Sequence, residues 1–360
     1  MKSQICIREY DPFSDLDRWI DLHRKAFGQV ESDEKRCYYL RWIHENPISE
    51  NFYIGAFSED LLVGFLAFMP QKVVGFKRTY KAAVAVSAFT DPAFQGQGIY
   101  SELVSAGFEI SRAREIDFCS GYTNNPKVLA LELRIGWQEV SKGVVLAYPL
   151  RCSKVLAVQF PRLRQLSPLA KPVDYVLGKY LTHKTGKKKD LSVQISSVDD
   201  FDIEYDDLAA SLCTQDQYMP YKDSAFLKWK YLSRYNVFRY NIMEARKNGK
   251  LLGCIIGRPM KMKGLNGFAV VDIIAGRGAG EITALLISEM ISCFGLQDRY
   301  DIVAAMVSPT KGVFHKLKRL GFKITQQNFN MIFHLTSDIT DATLFRSEAW
   351  HHSWGNTDTV

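Results

Sequence analysis

The sequence has 360 residues, of which 47% are hydrophobic, and a formal net charge of +7. This length suits about two domains with buried cores, and the sequence contains no apolar run near the roughly 20 residues of a membrane span, so we expect no integral membrane association. The N-terminus does not resemble a secretory signal, and the seven cysteines lack CxxC or Cys/His spacing. These features favour a cytoplasmic protein with reduced thiols and no metal site.

The positive charge is concentrated between residues 151 and 190. This segment holds ten Lys or Arg against two Asp, so the rest of the chain is close to neutral. Such a charge run is typical of a solvated linker, although a phosphate-rich ligand or an anionic membrane surface would also suit it. We expect no nucleic-acid partner from a charge that is confined to one connecting segment.

Hydrophobic periodicity predicts an α/β unit in the first 150 residues. We expect six or so strands, with two helices before the second strand, one at about 14–27 with Gly28 after it and one that ends before Pro47. The strands and helices that follow are expected at 52–57, 61–69, 81–89, 98–114 (helix), 116–122, 126–135 (helix) and 143–149. We expect the last of these strands to close the unit.

Three short matches indicate that this unit is duplicated. They are Tyr39–Trp42 with Phe226–Trp229 at an offset of 187, Leu62–Gly64 with Leu251–Gly253 at 189, and Leu133–Trp137 with Lys318–Phe322 at 185. Anchors at nearly one offset predict an internal repeat. We therefore expect a first lobe at 1–150, a basic linker at 151–192, a degenerate second lobe at 193–345 and an aromatic tail at 346–360 that packs near the cleft.

A glycine-rich loop joins the strand at 81–89 to the helix at 98–114. It contains Asp91-Pro-Ala-Phe-Gln95-Gly-Gln-Gly98-Ile-Tyr100. A loop of this kind presents unpaired backbone N–H groups at a helix N-terminus, where the helix dipole also favours an anion. Gly96 and Gly98 allow the backbone to approach the ligand closely. A pyrophosphate is the expected ligand.

The loop resembles motif A of the GCN5-related N-acyltransferase (GNAT) superfamily, [QR]-x-x-G-x-[GA]. Gln95 takes its first position and Gly98 its fourth, whereas Tyr100 stands where Gly or Ala is usual. The resemblance implies an α/β (α+β) fold of two tandem lobes, each with a mixed, mostly antiparallel sheet flanked by helices. It also implies an acetyl-, short-chain or hydroxyacyl-CoA co-substrate. The residues expected to hold the CoA are Phe89, Thr90, Gln95, Gly96, Gln97, Gly98, Ile99, Tyr100, Asn124 and Asn125.

Three carboxylates are candidates for acid–base work. Family members often place a tyrosine, as general acid, four residues before the Gly of a G-[FW] step, and here that position is Glu132. Glu132 could take over this role or could be an ordinary surface glutamate. Asp91 is the nearest candidate base. Asp272 interrupts an apolar strand of the second lobe, so it is either a paired structural residue or an acceptor that faces the cleft.

The second lobe keeps the plan but loses the loop. The stretch Ala275–Glu281 has no Pro turn, and Glu281 would place a negative charge beside a pyrophosphate. We therefore expect CoA in the first lobe alone. Direct attack of the amine on the thioester in a ternary complex is the mechanism that the resemblance implies.

Aromatic and basic residues mark the expected acceptor site. They are Tyr39, Arg41, Trp42, Tyr122, Trp229 and Trp354. Such side chains suit stacking on a base or sugar and pairing with phosphate, although helix packing would also account for them. The whole pattern resembles tandem-GNAT proteins of surface-polysaccharide pathways that acylate nucleotide-linked amino sugars, such as dTDP-linked amino-dideoxyhexoses.

Two other classes fit parts of the pattern. Transferases that depend on aminoacyl-tRNA and act on peptidoglycan also pair two GNAT lobes, and the basic segment would suit tRNA, but they do not need the CoA loop. A non-catalytic acyl-CoA-binding module is suggested by the missing tyrosine acid. The oligomeric state has no signal in the sequence.

Overall fold

The computed structural model describes residues 4–28, 32–159, 193–276, 280–294, 296–309 and 312–357, together with Arg162, Pro172 and Asp174. Most of the basic linker therefore lies outside the described residues. Within them, the chain forms one mixed, mostly antiparallel sheet of 13 strands, flanked by helices. No helix in the described part of the chain is long and apolar enough to cross a membrane.

The elements of the first half follow the order that the periodicity predicts. The strands are β1 (Ile5–Glu9), β2 (Phe52–Ser58), β3 (Leu61–Gly75), β4 (Arg78–Thr90), β5 (Phe118–Thr123) and β6 (Gln138–Pro149). The helices are α1 (Leu16–Phe27), α2 (Asp33–His44), α3 (Ile99–Ala113), α4 (Pro126–Arg134) and α5 (Cys152–Gln159). Asp15 and Ser32 cap α1 and α2 by accepting hydrogen bonds from the first turn, and Gly28 ends α1 with a positive φ of 75°.

The second half repeats this order. Its strands are β7 (Val193–Ser197), β8 (Met219–Pro220), β9 (Asn241–Lys247), β10 (Lys250–Met262), β11 (Leu265–Ala275), β12 (Ile302–Val307) and β13 (Lys323–Leu335). Its helices are α6 (Glu204–Leu212), α7 (Ser224–Leu227), α8 (Gly280–Cys293), α9 (Leu296–Arg299) and α10 (Gly312–Arg319). A π-helical turn at Lys228–Leu232 continues α7.

The two lobes exchange their last strands. The order in the sheet is β1-β2-β3-β4-β5-β13-β6-β12-β11-β10-β9-β7. Strand β5 of the first lobe pairs with β13 of the second, and β6 of the first pairs with β12 of the second. The prediction that β6 closes its own lobe is therefore wrong, because that place is taken by β13. Neither lobe completes its own sheet.

Matching irregularities make the repeat visible in the strand register. In the first lobe, Phe65 pairs with Phe89 and Phe68 pairs with Ala85, and a β-bulge lies between the two pairs. In the second lobe, Cys254 pairs with Ile274 and Gly257 pairs with Val270, again around a bulge. These flanking pairs correspond at an offset of 189 residues in the first strand of each pair and of 185 residues in the second. Ser87 and Asp272 therefore occupy equivalent positions.

Trp42 and Trp229 pack against each other where the lobes meet. Their rings stack at 5.2 Å with an interplanar angle of 5°. Trp42 Nε1 donates to the carbonyl of Trp229 at 3.1 Å, and Trp229 Nε1 donates to the carbonyl of Trp42 at 2.7 Å. This reciprocal pair is what two copies of one sequence motif produce across an approximate two-fold axis. It sits in the largest apolar core cluster, which both lobes share.

Candidate active site

An open cavity of about 900 Å³ lies where β4 and β5 separate. The two parallel strands pair only at Ala82–Val84 with 118–120. Beyond these pairs, Ala85–Thr90 and Gly121–Thr123 form opposite walls of the cavity. Ile332 of β13 also lines it, so the second lobe contributes to the wall. A gap between parallel strands leaves backbone groups of β4 without a strand partner, which an extended ligand can use.

A strained residue lies in the β4 wall. Ser87 has a φ of 55°, a left-handed conformation that residues other than glycine adopt rarely. It lies in the bulge of β4, and its hydroxyl is 2.8 Å from that of Tyr39 on α2. Tyr39 is therefore joined to the cavity wall, on the side of the sheet where α2 packs.

The loop between β4 and α3 has the geometry of an anion site. Gly96 and Gly98 have φ values of +76° and +86°, and a Cβ built on either would meet no atom within 4 Å. Gly98 caps α3 without any side-chain hydrogen bond, so the first N–H groups of the helix keep no intrahelical acceptor. Gln95, Gly96, Gly98, Ile99 and Tyr100 all line the cavity. The open space and the N–H groups suit a pyrophosphate.

Glu132 is buried in the cavity wall, which corrects the reading of it as a surface glutamate. Its side chain is on α4, the residue is 5% exposed, and Oε1 accepts a hydrogen bond from the Tyr100 hydroxyl at 3.1 Å. Oε2 is buried without a hydrogen-bond partner. Burial raises the pKa of Glu132 to about 7, and the hydrogen bond from Tyr100 opposes that shift only in part. A carboxyl with such a pKa can donate a proton near neutral pH.

The carboxylate of Asp91 binds a backbone N–H and a lysine outside the cavity. Its Oδ1 accepts from the backbone N–H of Ala93 at 2.9 Å, and its Oδ2 lies 3.3 Å from the ammonium of Lys25. Asp91 thereby holds the turn at Pro92–Phe94 that leads into the loop. It is not among the residues that line the cavity.

Asp272 is a paired structural residue. Its Oδ2 lies 2.5 Å from the ammonium of Lys222 and accepts from the Tyr231 hydroxyl at 3.0 Å. Burial alone would raise the pKa of Asp272, but the charges of Lys222 and His351 and the hydrogen bonds from Lys222 and Tyr231 together outweigh it, so the pKa is lowered. With its Oδ2 taken by these two groups, Asp272 is not an acceptor facing an open cleft.

Several other predicted residues lie away from the cavity wall. Asn125 caps α4 by accepting from Lys127 N, and neither it nor Asn124 nor Gln97 lines the cavity. The tryptophans at 42, 229 and 354 are 4%, 6% and 5% exposed and belong to the core between the lobes. None of the three lines the cavity, and their expected role in substrate binding stays a prediction. Phe89, Thr90 and Tyr122 do line the cavity.

Arg41 belongs to an exposed cluster next to this core. Its guanidinium lies 5.6 Å from the ring centroid of Tyr235, and that of Arg234 lies 4.7 Å from the same ring. Tyr38 completes the cluster, with its ring 5.9 Å from that of Tyr235. The cluster combines α2 of the first lobe with the loop after the π-helical turn of the second.

The cysteine nearest the cavity is inert. Cys119 on β5 is fully buried, its Sγ contacts Ser111 Oγ at 3.1 Å, and burial raises the pKa of the thiol to about 12. A thiol of this kind is a poor nucleophile. Within the described ranges, no group of three His, Cys, Asp or Glu side chains is arranged to hold a metal ion.

The similarity of the chain to known proteins agrees with this geometry. Residues 7–138 match the model of an acetyltransferase (GNAT) domain. No curated protein matches the sequence. The similar solved structures share the fold at low sequence identity. One is a GCN5-related N-acetyltransferase from Anabaena variabilis, 12% identical, with a TM-score of 0.65 over 93% of this chain and 73% of that one.

Two further structures extend the likeness. A probable N-acyltransferase from Enterococcus faecalis is 11% identical, with a TM-score of 0.63 over 92% of this chain and 73% of that one. The N-myristoyltransferase of Saccharomyces cerevisiae, solved with myristoyl-CoA, is 10% identical, with a TM-score of 0.61 over 93% of this chain and 83% of that one. The fold is that of tandem GNAT proteins. The acetyltransferase (GNAT) domain that residues 7–138 match lies in the first lobe, the lobe whose strands and loop line the cavity.

Proposed function

We propose that the protein transfers an acyl group from acyl-CoA to the primary amine of a nucleotide-linked amino-dideoxy sugar, by direct attack in a ternary complex. The CoA pyrophosphate would bind the N–H groups between Gln95 and Tyr100. The pantetheine arm would enter the gap between β4 and β5. The acceptor would approach from the side of Tyr39 and Tyr122.

The chemistry needs a polarised carbonyl, a neutral amine and a proton for the leaving thiolate. Backbone N–H groups of β4 near Phe89 can polarise the carbonyl. Glu132 can supply the proton, because the carboxyl lines the cavity and its pKa is raised to about 7. Tyr100 orients this carboxyl by donating a hydrogen bond to Oε1. The C–S bond then breaks as Glu132 protonates the sulfur.

The exposed cluster of Arg41, Arg234, Tyr38 and Tyr235 is the observation that supports a nucleotide-linked acceptor. Tyr39, the neighbour of Tyr38 on α2, hydrogen-bonds Ser87 in the cavity wall, so the cluster adjoins the acceptor side. Two guanidinium groups can pair with a diphosphate, and two tyrosine rings can stack on a base. An amine without a nucleotide would need neither the guanidinium groups nor the tyrosine rings.

The test is a panel of amines with acetyl-CoA and longer acyl-CoAs. We expect thiol release and an acylated product, identified by mass spectrometry, with a dTDP-linked amino-dideoxyhexose and not with the free sugar. Arg41→Ala combined with Arg234→Ala should raise KM for the nucleotide sugar at least about tenfold, the size of a lost charge-assisted hydrogen bond. Lys323→Ala, an exposed basic residue on β13, is the control. Equal turnover of the free sugar would contradict the proposed acceptor.

A further inference from the structure

A chain of hydrogen bonds runs from the cavity wall through the C-terminal tail to the surface. Tyr122 lines the cavity, and its hydroxyl lies 3.3 Å from Nδ1 of His352. Nε2 of His352 lies 2.8 Å from the hydroxyl of Ser141 on β6. Ser141 in turn contacts Ser347, which is exposed. Four groups from three segments of the chain therefore form one path.

The direction of each hydrogen bond follows from Ser141. Its single proton is donated to the carbonyl of Ser347 at 2.7 Å, so Ser141 Oγ must accept from His352. Nε2 of His352 therefore carries the hydrogen, and Nδ1 carries the lone pair. Nδ1 then accepts from Tyr122, whose oxygen accepts a hydrogen bond from the Asn356 side chain and keeps one lone pair to accept a further proton. The four groups are aligned for proton movement in one direction.

The surroundings of His352 and Tyr122 suit the transfer of a proton and not the accumulation of a charged form. His352 is 1% exposed, and burial lowers its pKa to about 3, so the imidazolium does not accumulate. Burial raises the pKa of the Tyr122 hydroxyl, and the Asn356 side chain opposes that rise. Neither group holds charge at neutral pH. Each of the two groups can pass a proton on if it takes up one proton while it releases another.

We propose that Tyr122, His352, Ser141 and Ser347 form a relay that removes the proton of the attacking amine. This inference rests on the proposed acyl transfer. As the C–N bond forms, the amine proton moves to Tyr122 Oη and the tyrosine proton moves to His352 Nδ1. The Nε2 proton moves to Ser141 Oγ, which turns its own proton from the Ser347 carbonyl to Ser347 Oγ, 3.5 Å away, and the exposed Ser347 hydroxyl releases a proton to solvent. Glu132 separately protonates the thiolate, so one proton leaves to solvent and one is taken up.

The kinetic test uses acetyl-CoA with hydroxylamine, a small amine that needs no acceptor site, and then with the amino sugars. His352→Phe should lower kcat about 100-fold, within the range of acid–base catalysis, with KM for acetyl-CoA unchanged. His352→Asn can accept from Tyr122 but cannot pass a proton, so it should be as slow. His351→Asn, the neighbouring histidine outside the path, is the control and should stay near wild type. Recovery in His352→Asn would overturn the relay in favour of simple orientation of Tyr122.

A second pair of variants tests the far end. Ser141→Ala should slow the reaction about tenfold, and Ser141→Thr, which keeps the hydroxyl, should restore it. Circular dichroism and CoA titration confirm that each variant is folded. If wild type binds acetyl-CoA but accelerates no amine, the proposed function fails and the relay fails with it. If wild type accelerates amines and His352→Phe does too, only the relay fails.

The tautomer can be measured without any acceptor. Nitrogen-15 NMR of labelled protein, with His352 assigned by its loss in His352→Asn, should show hydrogen on Nε2 and none on Nδ1 between pH 6 and 8. A protonated Nδ1, or a ring that becomes charged in this range, would overturn the relay.

Discussion

The same position of the fold has opposite uses in the two lobes. Ser87 lies in the wall of an open cavity, whereas Asp272, its equivalent, is buried against Lys222 and Tyr231. Thr123 lines the first cavity, whereas Ser308, its equivalent after β12, donates to the carbonyl of Trp350 in the tail. In the second lobe, the tail occupies the positions that face the cavity in the first.

Gly355 shows how closely the tail fits. A Cβ there would lie 2.3 Å from Tyr231 Oη and 2.6 Å from Asp272 Oδ2, so only glycine is accommodated. Lys222 Nζ also donates to Ser353 Oγ at 3.3 Å. Duplication therefore gave two potential clefts, and one of them became a docking site for the end of the chain. The loop residues 277–279 of the second lobe lie outside the described residues.

The largest effect is expected at the loop that only the first lobe retains. Gly98→Asp adds a side chain at a φ of +86° and a negative charge where a pyrophosphate would lie. We expect CoA affinity to fall more than about 100-fold, the loss of several charge-assisted hydrogen bonds, with the fold intact. Gly249→Asp, at a similar φ of +81° in the β9–β10 hairpin, is the matched control.

Calorimetry of both variants and wild type checks this prediction. Wild type and Gly249→Asp should each bind one CoA per chain, because the second cleft is filled by the tail. Unchanged affinity in Gly98→Asp would contradict the loop assignment. A stoichiometry of two would contradict the contrast between the lobes.

The buried pair of the second lobe should matter for stability and not for CoA. Asp272→Asn leaves Lys222 without its counter-ion, which costs about 3–5 kcal/mol of unfolding free energy. Ser87→Ala, at the equivalent position, should cost about 1 kcal/mol for one lost hydrogen bond. Urea denaturation measures both losses of unfolding free energy. Equal losses would contradict the different uses of Ser87 and Asp272 in the two lobes.

The stabilisation by the Asp272–Lys222 pair should change with pH in one direction. Because the pKa of Asp272 is lowered in the folded protein, its stabilisation is present above the unfolded value of about 3.9. It is lost as the pH falls below that value toward the folded pKa. Wild type should therefore lose its advantage over Asp272→Asn in strongly acidic solution.

Glu132 has no carboxylate counterpart in the second lobe, where Leu317 stands. Glu132→Gln should lower kcat about 10–100-fold, at the weak end of acid–base effects. It should also abolish the fall in rate that we expect above pH 7, as the carboxyl ionises. The pKa is raised from 4.5 to about 7, so the wild type loses stability as the pH rises between these values.

Thermal denaturation gives an independent check of the same carboxyl. Glu132→Gln should melt at a higher temperature than wild type at pH 8 and at the same temperature at pH 4. A pH–rate profile that keeps its descending limb in Glu132→Gln would exclude Glu132 as the general acid. Glu109→Gln, an exposed glutamate on α3, is the control.

Equal effects on the two sides are expected where the lobes are alike. Trp42→Phe and Trp229→Phe each remove one N–H donor and part of one stack, so each should cost about 1–3 kcal/mol. A double-mutant cycle should show that the two losses are similar and coupled by about 1 kcal/mol. A much larger loss on one side would mean that the pair is not symmetric in energy.

The periodic features of the sequence predicted the local structure well. The order of strands and helices from β1 to α4, the glycine at the end of α1 and the repeat anchored by Trp42 and Trp229 all follow from period and spacing. The exchange of β6 and β13 could not be predicted this way, because a strand sequence does not specify which neighbour it pairs with. The burial of Glu132 was missed for a related reason, since it depends on Tyr100, 32 residues away.

The tail shows the same limit of sequence reasoning. Its aromatic composition indicated that it docks, but His352 was not singled out, because its partners Tyr122 and Ser141 lie more than 200 residues earlier. Only the fold brings them together. The two histidines between Trp350 and Trp354 were the one signal in the sequence.

The strand exchange has a consequence for how the protein is made. Ile332 of β13 lines the cavity of the first lobe, and β13 is what pairs with β5 along that lobe's open edge. A nascent chain therefore cannot finish its N-terminal lobe until nearly all of it has left the ribosome, and until then the edge of β5 stays unpaired. Cutting the linker in the mature protein would leave both pieces interlocked, whereas expressing residues 1–150 alone would leave an unfinished sheet.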